Sequence, residues 1–193
     1  MPDIFDVMAE RRSIRKYLEE DVSERDLNII LEAACSAPSA GNLQAYDIVV
    51  VRDPTKRKLL AKASYNQTFM ARAPVHLVFF SVPRRSARVY GPRGMELYSL
   101  QDATIAATFA MLAAHALGYG TCWVGAFDDN AVRSILDAPQ DRRPVAIITI
   151  GRPGESGYRT SRMKMERFIF EDEYGRPFHH TKTMDKLIRP GCN

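Results

Sequence analysis

The chain has 193 residues, 46% of them hydrophobic, which excludes a largely disordered protein and fits a single domain. Lysine and arginine outnumber aspartate and glutamate by 27 to 23, so nucleic acid and small anionic ligands both stay open as partners. Cys35, Cys122 and Cys192 lie far apart, which argues against a disulfide framework or a cysteine zinc site and favours a cytoplasmic protein. We expect a buried helix and a strand in the uncharged stretch 103–127, not a membrane span.

Helical and strand patterns alternate along the chain up to Gly151. Asp3 can cap a first helix, and Ser23 can cap a second one, which ends before Pro38. Four apolar runs predict buried strands, at 48–51, 75–82, 121–125 and 145–150. This alternation predicts an α/β or α+β protein with one sheet that is covered on both faces.

Two segments between these strands have an unusual composition. Residues 83–97 hold four arginines, two glycines and two prolines, which predicts an exposed, mobile loop. The next helix, 100–117, carries alanine around its whole circumference, as expected of a helix that packs closely on several sides. Beyond residue 151 the chain is polar and basic, so we expect it to be disordered or to wrap a neighbouring subunit.

Several common catalytic motifs are missing from the sequence. There is no P-loop, no HExxH and no GxSxG. Gly118-Tyr119-Gly120 follows a helix and precedes a strand, the reverse of the order in a dinucleotide fingerprint. The pair His179-His180 has no apparent third ligand, so solvated histidines are favoured over a metal site.

The densest group of charged residues follows the first helix. Arg11, Arg12 and Arg15 place three permanent cations within five residues, and Ser13 adds a hydroxyl. Arginine forks and a hydroxyl match the three oxygens and two charges of a phosphate monoester. Taken alone, the group is better interpreted as a solvated basic turn at a helix C-terminus.

Three segments, in order, resemble the motifs of the FMN-dependent nitroreductase family. They are Arg11-Arg12-Ser13-Ile14-Arg15-Lys16-Tyr17, Ala37-Pro38-Ser39-Ala40-Gly41-Asn42-Leu43-Gln44, and the stretch from Gln101-Asp102-Ala103 to Gly118-Tyr119-Gly120-Thr121-Cys122-Trp123-Val124-Gly125. The resemblance implies an α+β nitroreductase-like fold. In that fold a mostly antiparallel sheet of four to five strands has helices on both faces, and a C-terminal extension wraps the partner subunit.

The resemblance implies a role for each basic residue of the first motif. Arg11 and Ser13 would bind the phosphate and ribityl chain of FMN, and Arg12 would touch the same oxygens. Arg15 would lie near the pyrimidine edge of the flavin ring, where a cation stabilises the negative charge of the reduced form. Arg162 would complete the phosphate site, although four other basic residues lie close to it in sequence.

The second motif implies a homodimer with FMN at the subunit interface. Pro38, Ser39 and Asn42 would approach the flavin from the other protomer. From the residues alone, this stretch is better interpreted as a helix stop and a turn. The family often continues with Pro-Trp where this chain has Ala45-Tyr46, so the resemblance does not predict which residues face the substrate side of the ring.

Further positions would lie against the flavin ring itself. Gln67 resembles a residue that contacts the polar edge of the ring. Val124 and Gly125 match the segment whose backbone N–H faces flavin N5, where a glycine lets the backbone come close. Trp123 and Phe127 are interpreted as core residues, not as substrate-stacking residues.

The resulting hypothesis is an FMN-dependent oxidoreductase in which NADH or NADPH and a small nitroaromatic, quinone or related acceptor react in turn. Residues 1–151 would form the FMN-binding domain, and 152–193 an extension or dimer arm. The alternatives are a family relative with dehalogenase or dehydrogenase chemistry, a protein that holds flavin without turnover, and a nucleic-acid-binding protein that uses 11–16 and 84–93. Neither nucleic acid nor a membrane is the expected partner.

Overall fold

The computed structural model describes residues 2–179. Ten regular elements alternate through them. They are α1 (Ile4–Glu10), α2 (Glu24–Cys35), β1 (Tyr46–Val51), α3 (Pro54–Ala63), β2 (Val75–Ser81), α4 (Pro83–Arg93), α5 (Ser99–Ala116), β3 (Gly120–Val124), α6 (Asp129–Ile135) and β4 (Arg143–Gly151). Asp3 and Ser23 cap α1 and α2 through their side chains, as the sequence predicts.

The four strands form one antiparallel sheet in the order β1-β2-β4-β3. Val78 of β2 pairs with Val49 on one side and with Ile147 on the other, and Ile147 also pairs with Val124 of β3. The four predicted strands and the α+β class are therefore confirmed. β1 and β3 are the edge strands, so each has backbone groups free for another segment.

Helices cover both faces of the sheet, which confirms the predicted layering. Leu77 and Ile148 face α2 and α5, whereas Val78 and Ile147 face α3 and α6. Successive residues of a strand point to opposite faces, so a strand buried on both sides is apolar throughout. The alanines of α5 at 103, 106, 107, 110 and 114 are fully buried, which lets this helix pack closely.

The predicted mobile loop at 83–97 is wrong. Residues 83–93 form α4, and a π-helical turn, Gly94–Tyr98, joins it to α5. Pro83 occupies the first helical turn, where its missing N–H costs nothing. Gly94 packs so tightly that a Cβ there would lie 2.6 Å from the Ser86 carbonyl oxygen. Pro83 therefore starts this helix, and Gly91, with a φ of 57°, interrupts it with a kink.

The extension runs back along the segment that follows α1. The Leu18 N–H donates to the Arg152 carbonyl at 3.0 Å, and the Gly154 N–H donates to the Lys16 carbonyl at 2.8 Å. Residues 152–162 therefore lie against the arginine cluster, while His180 and Cys192 fall outside the described residues. Between residues 2 and 179, no helix is both long and apolar enough to cross a membrane.

Candidate functional site

The arginine cluster is held on the free edge of β3. The Ile14 N–H donates to the Thr121 carbonyl at 2.8 Å, and Ser13 pairs with Thr121 as a parallel bridge. Gly120 permits this approach, since a Cβ there would lie 2.9 Å from the Ile14 side chain. The cluster is therefore part of the sheet framework and not a freely moving turn.

A cavity of about 230 Å³ opens above this segment. Its lining contains four guanidinium groups in addition to Arg15, and none of its lining residues is acidic. The residues around it are Met8, Ala9, Arg11, Arg12, Ser13, Arg15, Tyr158, Arg159, Thr160 and Arg162. The structure thus brings Arg162, which spacing alone could not single out, to the same cavity as the first motif.

Burial and the neighbouring guanidinium groups lower the pKa values of two arginines at the cavity. Burial and then the neighbouring Arg162 lower the pKa of Arg11. Burial, then Arg159 and Arg11, lower the pKa of Arg12. Like charges held together in this way repel one another, and an anion among them would reduce that repulsion.

Two contacts orient the side chains at the rim of the cavity. The Arg12 guanidinium donates to the carbonyls of Ala9 and Arg11, both at 2.7 Å, at the C-terminal end of α1. Arg162 donates to the Thr160 hydroxyl at 2.7 Å. Neutral oxygen atoms therefore accept these hydrogen bonds from both cations.

The carboxylate of Glu155 holds the backbone at Arg15 and Lys16 in place. It accepts the N–H groups of Arg15, at 2.7 Å, and Lys16, at 3.2 Å. The Arg15 guanidinium lies 5.8 Å from the ring centroid of Phe69. This side chain is exposed, and Arg15 is one of the residues that line the cavity.

The predicted ring-contacting residues lie at the end of β3. The Gln67 side-chain amide donates to the Ala126 carbonyl at 3.4 Å, next to Gly125. Val124 is buried, whereas Gly125 is exposed. The Arg15 guanidinium lies near Phe69, two residues along the chain from Gln67, but Gln67, Val124 and Gly125 are not among the residues that line the cavity.

The Pro38–Asn42 segment does not reach the arginine cavity of its own chain. It lines a second cavity, of about 580 Å³, together with Tyr98 and the start of α5. The Ser39 hydroxyl accepts the Gln44 N–H at 3.0 Å, and Asn42 has a φ of 55°, in the left-handed region. The loop is therefore well defined, but it faces a different part of the molecular surface.

Asp102 holds this loop in place, a role that the sequence analysis missed. It is only 1% exposed, and its two oxygens accept the N–H groups of Ala40, at 2.9 Å, and Ala45, at 3.2 Å. A single acidic residue in an otherwise uncharged alanine-rich helix was the available clue, because a buried carboxylate needs such donors.

Other candidate groups are part of the core. Phe127 is buried and Trp123 packs against the core cluster, which confirms both as core residues. Burial raises the pKa of the Cys122 thiol, as expected of an inert cysteine. Burial lowers the pKa of His115, which is only half-buried. Among residues 2–179, no group of side chains could hold a metal ion.

Comparisons with known proteins give a consistent result. The model of the nitroreductase family matches residues 8–68 and 61–152. A Thermus thermophilus NADH dehydrogenase is 34% identical in an alignment of 186 positions that covers 82% of this chain and 91% of that protein. A Bacillus subtilis FMN reductase [NAD(P)H] is 29% identical in an alignment of 187 positions that covers 90% of this chain and 75% of that protein.

Solved structures show the same architecture. The structure of Bacillus megaterium NfrA2 superimposes with a TM-score of 0.83 at 28% identity, over 91% of this chain and 76% of that one. Nitroreductase A of Vibrio parahaemolyticus gives a TM-score of 0.82 at 26% identity, over 97% and 80% of the two chains.

Proposed function

Because the chain belongs to the nitroreductase family, we propose that it is an FMN-dependent oxidoreductase that uses NADH or NADPH to reduce a small acceptor. Relatives named as FMN reductases and as an NADPH-flavin oxidoreductase support both the cofactor and the nicotinamide reductant. The same names favour a reductase over the dehalogenase and nucleic-acid-binding alternatives.

The arginine cavity carries this proposal, since its donors fit the phosphate end of FMN. A phosphate monoester has close to two negative charges and three acceptor oxygens. Arg11, Arg12, Arg162 and the hydroxyl of Ser13 surround the cavity, and no carboxylate lines it. Burial and neighbouring guanidinium groups lower the pKa values of Arg11 and Arg12, which supports a site that favours an anionic ligand.

The surface beside the cavity would hold the flavin ring. FMN, when bound, supplies the chemistry that accepts a hydride from NAD(P)H and passes reducing equivalents to the acceptor. Arg15 would bring a cation to the edge of the ring, where negative charge develops. Gln67 would donate to the polar edge of the ring, and the exposed backbone at Gly125 would approach its centre. We assign no side chain as an acid or base.

A homodimer would complete the site, with Pro38, Ser39 and Asn42 supplied by the partner. Two observations support this. The loop lies away from the arginine cavity of its own chain. In addition, α1 exposes Ile4 and Met8 beside an apolar cavity of about 420 Å³ that α5 helps to line. A second copy would cover this face.

Spectroscopy and turnover test the function. The purified protein should be yellow, and NAD(P)H should bleach it under anaerobic conditions. Steady-state oxidation of NAD(P)H with nitroaromatic, quinone and halogenated acceptors then separates a reductase from a dehalogenase and from a protein that only holds flavin. A colourless protein that takes up no added FMN would overturn the proposal.

Mixing two defective variants tests the shared site. Arg11→Ala removes the phosphate contact, and Ala40→Trp fills the second cavity. If each FMN site takes residues from both chains, a hybrid dimer contains one intact site. Mixing equal amounts should restore FMN binding in about a quarter of the sites. Hybrids that form, as shown by co-purification of two tags, but bind no FMN contradict the shared site.

A further inference from the structure

Residues 90–98 form an aromatic and cationic surface that the proposed cofactor site does not use. The rings of Tyr90 and Tyr98 meet edge to face, with their centroids 5.2 Å apart at 84°. The Nε of Arg93 donates to the Tyr98 hydroxyl at 2.9 Å. The same guanidinium lies 5.4 Å from the Tyr98 ring centroid. One cation and two rings thus share a single surface.

Glycines fix this surface against the Pro38–Asn42 loop. Gly91 has a φ of 57°, which turns the chain at the end of α4 and returns Tyr98 towards Tyr90. Gly41 has no side chain, and a Cβ there would collide with the Tyr90 hydroxyl. Tyr98 lines the second cavity together with Pro38 and Ser39. Tyr98 therefore forms part of the wall of the second cavity, and it contacts both Tyr90 and Arg93.

The charge of Arg93 is not compensated by the protein. Arg93 is exposed, and within residues 2–179 it forms no salt bridge. Its hydrogen-bond partner, the Tyr98 phenol, is neutral. By contrast, Arg85 on the same helix donates to the Asp47 carboxylate at 3.1 Å. The remaining N–H groups of Arg93 are therefore available to an anion from solution.

We propose that Arg93 and Tyr98 bind the anionic substituent of a planar electron acceptor. The inference rests on the proposed function, because only a flavin bound near the Pro38–Asn42 loop of the partner would bring an acceptor to this wall. A carboxylate or sulfonate on an aromatic ring matches the guanidinium donors, and the edge of the Tyr98 ring contacts the ring plane. The enzyme then prefers charged acceptors to neutral ones of the same shape.

Two acceptors of similar size test this preference, 4-nitrobenzoate and 4-nitrobenzyl alcohol. Arg93→Gln should lower kcat/KM for 4-nitrobenzoate by about tenfold, mainly through KM, since a charge-assisted hydrogen bond is lost. Calorimetry with the oxidised holoenzyme, without NAD(P)H, should show about the same tenfold increase in the Kd of 4-nitrobenzoate. The values for 4-nitrobenzyl alcohol should change by less than about twofold.

Three further variants define what the cation does. Arg88→Gln removes the same charge from an exposed position of α4 and should leave both acceptors unaffected. Arg93→Lys should recover part of the affinity for 4-nitrobenzoate, since it keeps the charge but loses the planar fork. Tyr98→Phe keeps the ring and removes the hydroxyl that orients Arg93, so it should give a smaller loss, confined to the charged acceptor.

The outcomes separate this inference from the proposed function. Bleaching by NAD(P)H and turnover of 4-nitrobenzyl alcohol report the proposed function alone. Equal losses for both acceptors in Arg93→Gln overturn the subsite, and so does an unchanged Kd for 4-nitrobenzoate. If Arg93→Gln instead slows only the bleaching by NADPH, Arg93 binds the nucleotide's phosphates and the inference is also wrong.

Discussion

Two groups of arginines on this molecule have the same chemistry but opposite surroundings. The first lines the cavity above β3 and has no carboxylate among the lining residues. The second lies at the start of α4, beside a cavity of about 360 Å³ that includes Asp141. There the carboxylate of Asp47 accepts from Arg85 at 3.1 Å and from Arg142 at 2.7 Å. No acidic residue lines the first cavity, whereas carboxylates pair with arginines of the second group.

The pKa shifts of the arginines record this difference. Burial and neighbouring cations lower the pKa of Arg11, whereas Asp47 raises the pKa of Arg142. A cation paired with a carboxylate contributes to the fold, whereas several cations around one cavity favour the binding of an anion. Because Asp47 and Asp141 reduce the net positive charge of the paired group, this group is less suited to bind a polyanion. This argues against a nucleic-acid-binding protein.

The largest effect expected from this difference is on cofactor affinity. Arg11→Ala should raise the Kd for FMN by about a hundredfold, since a charge-assisted contact to phosphate is lost. The apoprotein should be no less stable, because the change removes a like charge beside Arg162. Fluorescence titration and urea unfolding measure the two quantities. A large loss of apoprotein stability would mean that Arg11 is a structural residue.

The stability of the Arg11 variant must be measured at neutral pH, because protonation of a buried histidine destabilises the protein in acid. His76 is fully buried, and burial lowers its pKa from 6.5 to about 4. Its folded-state pKa is depressed, so its contribution is complete above pH 6.5 and is lost as the pH falls towards 4. Stability should drop by about 2.5 kcal/mol between about pH 7 and about pH 4.5.

Urea unfolding at the two pH values tests the histidine, with His76→Gln as the matched variant. Gln keeps a donor for the Met70 carbonyl, which lies 2.8 Å from Nε2 of His76, but it does not titrate. Hydrogen bonds with Tyr119 and Ser23 lower the pKa of Asp26 below 3.8. The titration of Asp26 therefore affects stability only in stronger acid. A variant that still loses as much stability as the wild type would exclude His76 as the cause.

The paired group should show the opposite pattern to Arg11. Arg142→Ala should lower the free energy of unfolding by about 1.5 kcal/mol, because its bonds to Asp47 and Asp141 are lost. The Kd for FMN should stay within about twofold of the wild-type value. The same titration and unfolding experiments apply. An Arg142→Ala variant that loses FMN affinity but no stability would show that Arg142 acts in cofactor binding and not in stabilising the fold.

The smallest effect is expected at the edge of the paired group. Arg84 is 78% exposed and lies 3.8 Å from Asp141, so the pair is largely screened by solvent. Arg84→Ala should change stability by less than about 0.5 kcal/mol and leave FMN binding unaltered. A larger loss of stability in urea would show that the ion pair between Arg84 and Asp141 is stronger than their 3.8 Å separation indicates.

The sequence predicted most of the fold, because periodicity and capping act locally. Four strands and the long alanine helix were found within a few residues of their bounds. The segment 83–97 was assigned wrongly, since Gly94 serves close packing against Ser86 and not a turn. Such tertiary contacts leave no local pattern.

The candidate site was only partly predictable for the same reason. Arg11, Arg12 and Ser13 form a compact motif, and the structure places them around one cavity. Arg162 comes from a part of the chain where many basic residues compete, and only folding selects it. The role of Asp102 depends on where Ala40 and Ala45 lie in space, which its own sequence neighbours do not specify.

Closure of the arginine cavity also has a consequence for synthesis of the protein. One wall is formed by residues 8–15 and the other by residues 158–162, which the ribosome makes last among the described lining residues. Glu155 ties the second wall to the first through the N–H groups of Arg15 and Lys16. A nascent chain that has not yet released this segment has Arg11, Arg12 and Ser13 in place but lacks Arg162. If the cavity holds the FMN phosphate as proposed, a chain shortened to end before residue 158 should retain FMN less tightly than the longer chain.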